Sequence, residues 1–152
     1  VKYPDGTTQT TAFQSIGFSA RANAAQSIPD AVSTTLILGT ENWDRGNGYD
    51  PATGIYTPPA IGIYQCNCQV NFETLLAGSD YFVGPTGTNI TGNASIGARG
   101  KCASAPCATN TSQLVNAAAG ATIRCTAYQN SDGAYDAFGD ARTHFSCHYV
   151  GP

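Results

Sequence analysis

An all-β domain, built as a sandwich or jelly roll of short antiparallel strands, is the fold class this sequence predicts. Apolar residues recur at every second position in several separate runs, which is the period of a half-buried strand. Gly, Pro, Asn and Asp break the chain between those runs. No segment carries a helical apolar stripe: the alanine-rich stretches at 20–26 and 117–121 are interrupted by Asn23 and Gly120, which disfavour helix.

The elements follow in order. Val1 to Ala12 is polar and too short to bury anything alone, with Pro4-Asp5-Gly6 as a turn signal. Ile16, Phe18, Ala20 and Ala22 then alternate with Gly17, Ser19, Arg21 and Asn23. A second apolar run, Leu36-Ile37-Leu38, follows the breaker Ile28-Pro29-Asp30. Asn42 to Pro51 is dense in turn formers and reads as loops flanking a short edge strand. The clearest strand covers 62–73, with Tyr64, Cys66, Cys68, Val70 and Phe72 on one face and Gln65, Asn67, Gln69 and Asn71 on the other. Ile123, Cys125 and Ala127 repeat the pattern, as do Phe145, Cys147 and Tyr149. The stretches 78–112 and 130–142 read as long loops.

With 152 residues the chain holds one compact domain. It lacks Met and opens inside a motif, as a piece of a longer protein would. Only 11% of residues are charged and the net charge is −3, so no basic stripe offers itself to nucleic acid. No apolar run approaches the ~18 residues of a membrane span, which argues against insertion. Six cysteines, an even number, suit disulfides in an oxidising compartment, although Cys is also a common small core residue.

The run Tyr49-Asp50-Pro51-Ala52-Thr53-Gly54-Ile55-Tyr56-Thr57-Pro58-Pro59-Ala60-Ile61-Gly62-Ile63-Tyr64 resembles the signature "YD-x-x-TG-x-F-x-x-P-x-x-G-x-Y-x-F" of the C1q/TNF-like family. Phe18-Ser19-Ala20-Arg21, the Leu114 to Ile123 stretch, Tyr128-Gln129-Asn130-Ser131 and the closing Thr143 to His148 fall in the family's order. The resemblance implies a C1q/TNF-like jelly roll over 16–152, with two antiparallel sheets of about ten strands, and a homotrimer joined through the sheet of the first and last strands. The face of Gln65, Asn67, Gln69 and Asn71 would then meet other subunits. The lead-in at 1–12 resembles the "PDGT-x-Q-x-x-A" segment with which shafts of phage tail fibres and related bacterial fibres give way to a head, so 1–15 is expected to be the end of a shaft.

Cys66 and Cys147 stand where the family often carries an aromatic and a glycine. The family's strand order puts the strand of Cys66 and Cys68 between the last strand and that of Cys125. Cys66 and Cys68 are therefore expected to pair with Cys125 and Cys147, in an order left open, and Cys102 with Cys107.

The sequence presents no nucleophile elbow, H-E-x-x-H or phosphate-binding glycine loop, and no enzyme activity or cofactor is expected. His144 and His148 share a strand face and could line a threefold axis; packing between subunits is the plainer reading. Glu41, Asp44, Asn47 and Asp50 form an oxygen-rich cluster that reads as a solvated loop, and no metal is assigned.

What remains is binding. The expected function is the adhesive or receptor-binding tip of a trimeric extracellular fibre, at a cell or virion surface, recognising a cell-surface glycan or protein receptor. Trp43, Tyr81, Tyr128 and Tyr135 are the candidate ligand-binding aromatics, because sugars stack on exposed rings. The alternatives are a trimerisation cap without a ligand of its own, or a secreted C1q/TNF-like signalling ligand.

Overall fold

The computed structural model describes Pro4, residues 15–92 and residues 97–152. The expected shaft end at 1–15 therefore lies, but for Pro4 and Ser15, outside the described residues. Among those described the chain forms twelve strands and no helix: β1 (Gly17–Arg21), β2 (Gln26–Ile28), β3 (Thr34–Thr35), β4 (Thr40–Arg45), β5 (Tyr49–Asp50), β6 (Ile55–Tyr56), β7 (Gly62–Phe72), β8 (Asp80–Gly92), β9 (Ala98–Lys101), β10 (Cys107–Gln129), β11 (Tyr135–Ala137) and β12 (His144–Gly151).

Every strand pair is antiparallel, and the pairs build two layers. The front sheet runs β4, β1, β12, β7 and the first arm of β10, residues 107–117. The back sheet is built on the second arm of β10, residues 122–129, flanked by β8 and β9 on one side and by β3, β6 and β5 on the other. Tyr81 pairs with Gln129 in the back sheet, yet its hydroxyl donates to the Ala108 carbonyl at 3.1 Å. Residues 108 and 129 thus lie at the same height, so β10 reverses between its arms. β8 follows it round the same end, pairing Thr88 with Thr122 and Ile90 with Ala117. Asn89 and Gly120 take positive φ at the reversal, and the Asn89 amide donates to the carbonyls of Ala119 and Gly120.

Alternation sorts the side chains. Along β7 every even-numbered residue is buried and every odd one half-exposed, as the sequence predicts. Phe18 is the hub of the core, with ring centroids 4.5 Å from Tyr49, 4.5 Å from Tyr56 and 4.9 Å from Phe145. The first and last of these partners come from opposite sheets, so one ring ties the layers together. The corner at 50–54 is held by Asp50, whose carboxylate accepts from the Ala52 amide and the Thr53 hydroxyl. These bonds hold its carboxyl below the usual range. Gly54 has φ +71°, and a Cβ there would stand 2.3 Å from the Leu36 carbonyl oxygen, so no larger residue fits.

The structure departs from expectation in three places. Where loops are expected to flank a short edge strand over 42–51, Asn42 to Arg45 is itself edge strand, the end of β4, because its backbone pairs with β1 across a register shift at Ser19/Ala20. Leu36 and Leu38 are buried outside any strand while Ile37 faces outward. Most of 78–112 is strand, since β8, β9 and the start of β10 find partners far away in sequence.

The cysteines divide. Cys66 and Cys147 face each other in the β7/β12 register and are disulfide-bonded, and Cys102 is bonded to Cys107. Cys68 and Cys125 are buried free thiols, which corrects the expected third bond. Cys125 belongs to the back sheet, not to a strand beside β7, and meets Cys68 across the sandwich. Burial first, and the hydrogen-bonding contact with Cys125 second, push the Cys68 thiol well above its ordinary pKa.

Three core tyrosines make alkali a sensitive probe. Burial is the main cause that raises the phenols of Tyr49, Tyr56 and Tyr64 above their ordinary value. Unfolded tyrosines ionise near pH ~10, while these three keep their protons in the fold. Above that pH the unfolded state binds fewer protons, so stability is expected to fall as pH rises, and to be unaffected by these groups below it. Phenolate absorbance should show part of the tyrosine signal appearing only with the loss of near-ultraviolet circular dichroism. Smooth ionisation of all eight tyrosines in the folded protein would contradict this account.

Candidate binding faces

Because apolar side chains fill the interior, each sheet shows solvent its outer face, and the two faces differ. The front face is a ladder of polar side chains with Leu114 and Val150 exposed at one end. Gln65 donates to the Ser112 hydroxyl at 2.6 Å, Asn42 to Ser19 at 3.1 Å, and Gln69 to the Arg142 carbonyl at 3.0 Å. His144 and His148 project from β12 on this side, the second with its ring 5.1 Å from that of Trp43. Trp43, Arg45, His148 and Ser15 surround a shallow cleft of about 200 Å³. The expected acidic cluster is not a cage: Asp44 accepts from the Tyr49 amide at 2.8 Å, while Asp50 is occupied within its own turn.

The back face carries a different arrangement. Antiparallel pairing sets Arg99 of β9, Phe82 of β8 and Tyr128 of β10 side by side. The rings of Phe82 and Tyr128 stack with centroids 5.0 Å apart and planes 18° from parallel, an arrangement aromatic pairs favour. Both rings remain half-exposed, although a fully buried pair would remove more apolar area from water. Towards the reversal, the Thr86 and Thr126 hydroxyls meet at 2.6 Å and those of Thr88 and Thr122 at 2.8 Å. Arg124 lies opposite Thr86.

Two grooves flank the stacked pair. One of about 470 Å³ runs from Phe82 past Thr86 and Thr126 to Arg124, with Ser33 and Thr35 along its side. The other, about 300 Å³, is bounded by Asp80, Tyr81, Phe82, Arg99, Tyr128 and Asn130. Asn130 is anchored there, its side-chain oxygen accepting from the Asp80 amide at 2.7 Å. The neighbouring turn is fixed by buried Gln129, which donates to the carbonyls of Ile28 and Gly133 and accepts from the Ser131 amide.

Of the four aromatics singled out in the sequence, only Tyr128 lies on this face. Tyr81 is a correction: it is 7% exposed, points inward against Phe72 at 5.9 Å, and spends its hydroxyl on Ala108. Its strand places it in the opposite phase to Phe82, so the neighbour is the residue that faces out. Trp43 belongs to the front face, and Tyr135 is half-buried on β11, packed against the core. Phe82 and Arg99 are hidden in the sequence because 78–112 reads as loop, although Asp80, Phe82 and Thr86 alternate with Tyr81 and Val83; Arg124 lies on the outward phase of the strand of Ile123, Cys125 and Ala127, where nothing local marks it as a binding residue.

No protein-family model and no curated protein sequence matches this chain. Solved structures do. Eiger TNF from S. frugiperda superposes with a TM-score of 0.66 at 10% identity, over 90% of this chain and 93% of that one. Murine APRIL gives 0.61 at 15% identity, over 90% and 100%. The globular domain of zebrafish complement 1qA protein gives 0.59 at 11% identity, over 90% and 98%. The fold is that of the C1q/TNF-like jelly rolls.

Proposed function

We propose that the domain is the adhesive, receptor-binding head of a trimeric extracellular fibre and that its back face holds the ligand. The observation that carries this reading is the Phe82–Tyr128 stack, two aromatic rings kept half in solvent between two grooves. Rigid rings with few rotatable bonds lose little entropy when they take up a ligand. Two disulfides in a chain of this size suit life outside the cell. The trimer is assigned to the front face, where the Gln and Asn ladder of β7 and the β12 histidines offer hydrogen bonds to a neighbouring subunit. That choice leaves the back face free in the assembly. The placement at a fibre tip, phage or bacterial, rests on the likeness of residues 1–12 to a shaft-to-head junction.

Cell binding tests the reading. The fluorescent trimer is expected to label a subset of a panel of bacterial and eukaryotic cells. Phe82→Ala or Tyr128→Ala is expected to weaken labelling roughly tenfold or more, the usual loss at an aromatic anchor, while Trp43→Ala on the other face leaves it intact provided the trimer persists. A folded trimer that labels no cell at all would favour the trimerisation cap. Labelling that survives loss of both rings would move the site elsewhere.

A further inference from the structure

The back face also specifies the chemistry of what it holds. We infer that the ligand is an acidic saccharide, a sugar chain bearing carboxylates of the uronic or sialic type, with a ring lying on the Phe82–Tyr128 stack and a carboxylate held by Arg124; the inference rests on the adhesive reading of that face.

Charge is the first argument. The chain as a whole is acidic, at −3, yet Arg99, Lys101 and Arg124, three of its seven Lys and Arg residues, gather on the outer side of the back sheet. One carboxylate accompanies them, Asp80, which lies 4.0 Å from Lys101. Arg99 and Arg124 have no ion pair among the described residues. Arg124 is half-buried in the wall of the larger groove, with its guanidinium open to a ligand lying there. Its planar fork matches a carboxylate with two parallel hydrogen bonds.

Shape and hydrogen bonding supply the second. Tyr128 and Arg124 are four residues apart on one strand, about 13 Å at ~3.3 Å per residue, the span of about two or three sugar rings. Between them lie the Thr86 and Thr126 hydroxyls. Each pair of bonded hydroxyls keeps one O–H donor and several lone pairs to spare, which suits a ligand covered in hydroxyls. The weakly polarised C–H face of a pyranose seats on an aromatic ring, whereas a phosphate or a metal gains nothing from it. A nucleic acid or highly sulfated chain would need many more cations than three. Sparse negative charge, many hydroxyls and a flat apolar face together describe a carboxylated saccharide.

The test uses the whole folded domain and paired probes: 3′-sialyllactose against lactose, and a glucuronate-containing tetrasaccharide against its carboxyl-reduced counterpart, titrated calorimetrically. At least one acidic probe is expected to bind roughly tenfold or more tightly than its neutral partner, as charge-assisted hydrogen bonds allow. Arg124→Gln is expected to erase that preference and Arg124→Lys to restore part of it, which separates a lost guanidinium from a misfolded groove. Tyr128→Ala is expected to weaken acidic and neutral probes alike. Equal affinity within both pairs, a preference that survives Arg124→Gln, or no binding of any probe would each overturn the inference. If those outcomes accompany cell labelling that still depends on Phe82 and Tyr128, the adhesive reading stands and only the acidic sugar falls. If labelling is absent as well, both fall.

Discussion

Replacing Cys66 and Cys147 together by Ala is expected to lower the thermal midpoint by roughly 10 to 20 °C. The bond joins residues 81 apart in sequence. Closing so long a loop in the unfolded chain corresponds to about 4 to 5 kcal/mol of stabilisation on the chain-entropy account, and each kcal/mol moves the midpoint of a domain this size by roughly 2 to 4 °C. The same pair also staples β12 to β7 in the middle of the front sheet, so its loss removes a tie between two strands that carry the core side of that sheet. The Cys102–Cys107 bond closes a separation of only 5, and its removal should cost about 2 kcal/mol. Calorimetric or circular-dichroism melting of the two double variants checks the contrast. A 102/107 variant that melts no higher than the 66/147 variant would show that strain or local packing, and not loop length, governs these bonds. Non-reducing peptide mapping should recover both bonds together with Cys68 and Cys125 as thiols that resist alkylation until the protein unfolds.

Phe18→Ala is expected to destabilise the domain by about 3 to 5 kcal/mol. Phe18 is fully buried and lies against three rings at once, near-parallel to Tyr49 and edge-on to Phe145. Truncation leaves a ring-sized hole between two sheets whose backbones are each held by hydrogen bonds, so the layers cannot collapse to fill it. Phe18→Leu should recover much of the loss, because it restores most of the volume without the ring contacts. Chemical denaturation gives the measurement: a midpoint within experimental error of the parent for Phe18→Ala would mean that the rings are not coupled as their geometry implies.

Both expectations draw on residues already marked in the sequence, whereas the binding face does not. Phe18, Tyr49, Tyr56 and Tyr64 announce themselves through period-two alternation and through the corner motif at 49–64, and all four are core. A bond from Cys66 or Cys68 to Cys147 is implied only by the family resemblance, in an order left open, because both cysteines share one face of β7. Phe82 and Arg99 lie in a region rich in Gly and Asn, where strand propensity is weak and the pairing partners are distant along the chain. Their backbone becomes strand because β10 passes beside it, and only then does the phase of Tyr81 against Phe82 have meaning.

The sequence by itself determined the all-β class, the two-faced strand at 62–72 and the jelly-roll corner, because alternation, turn chemistry and a glycine at positive φ are local constraints written in consecutive residues. Tertiary structure alone decided which cysteines bond. Cys68 and Cys125 sit in facing sheets and stay thiols, and Cys66 and Cys147 sit side by side in one sheet. It likewise decided which aromatics reach solvent: Tyr81 turns inward, and Phe82 and Tyr128 stack outward between two grooves. Register and sheet assignment are set by hydrogen bonds between strands far apart in the chain, and a shift of one residue would exchange every inward side chain for an outward one.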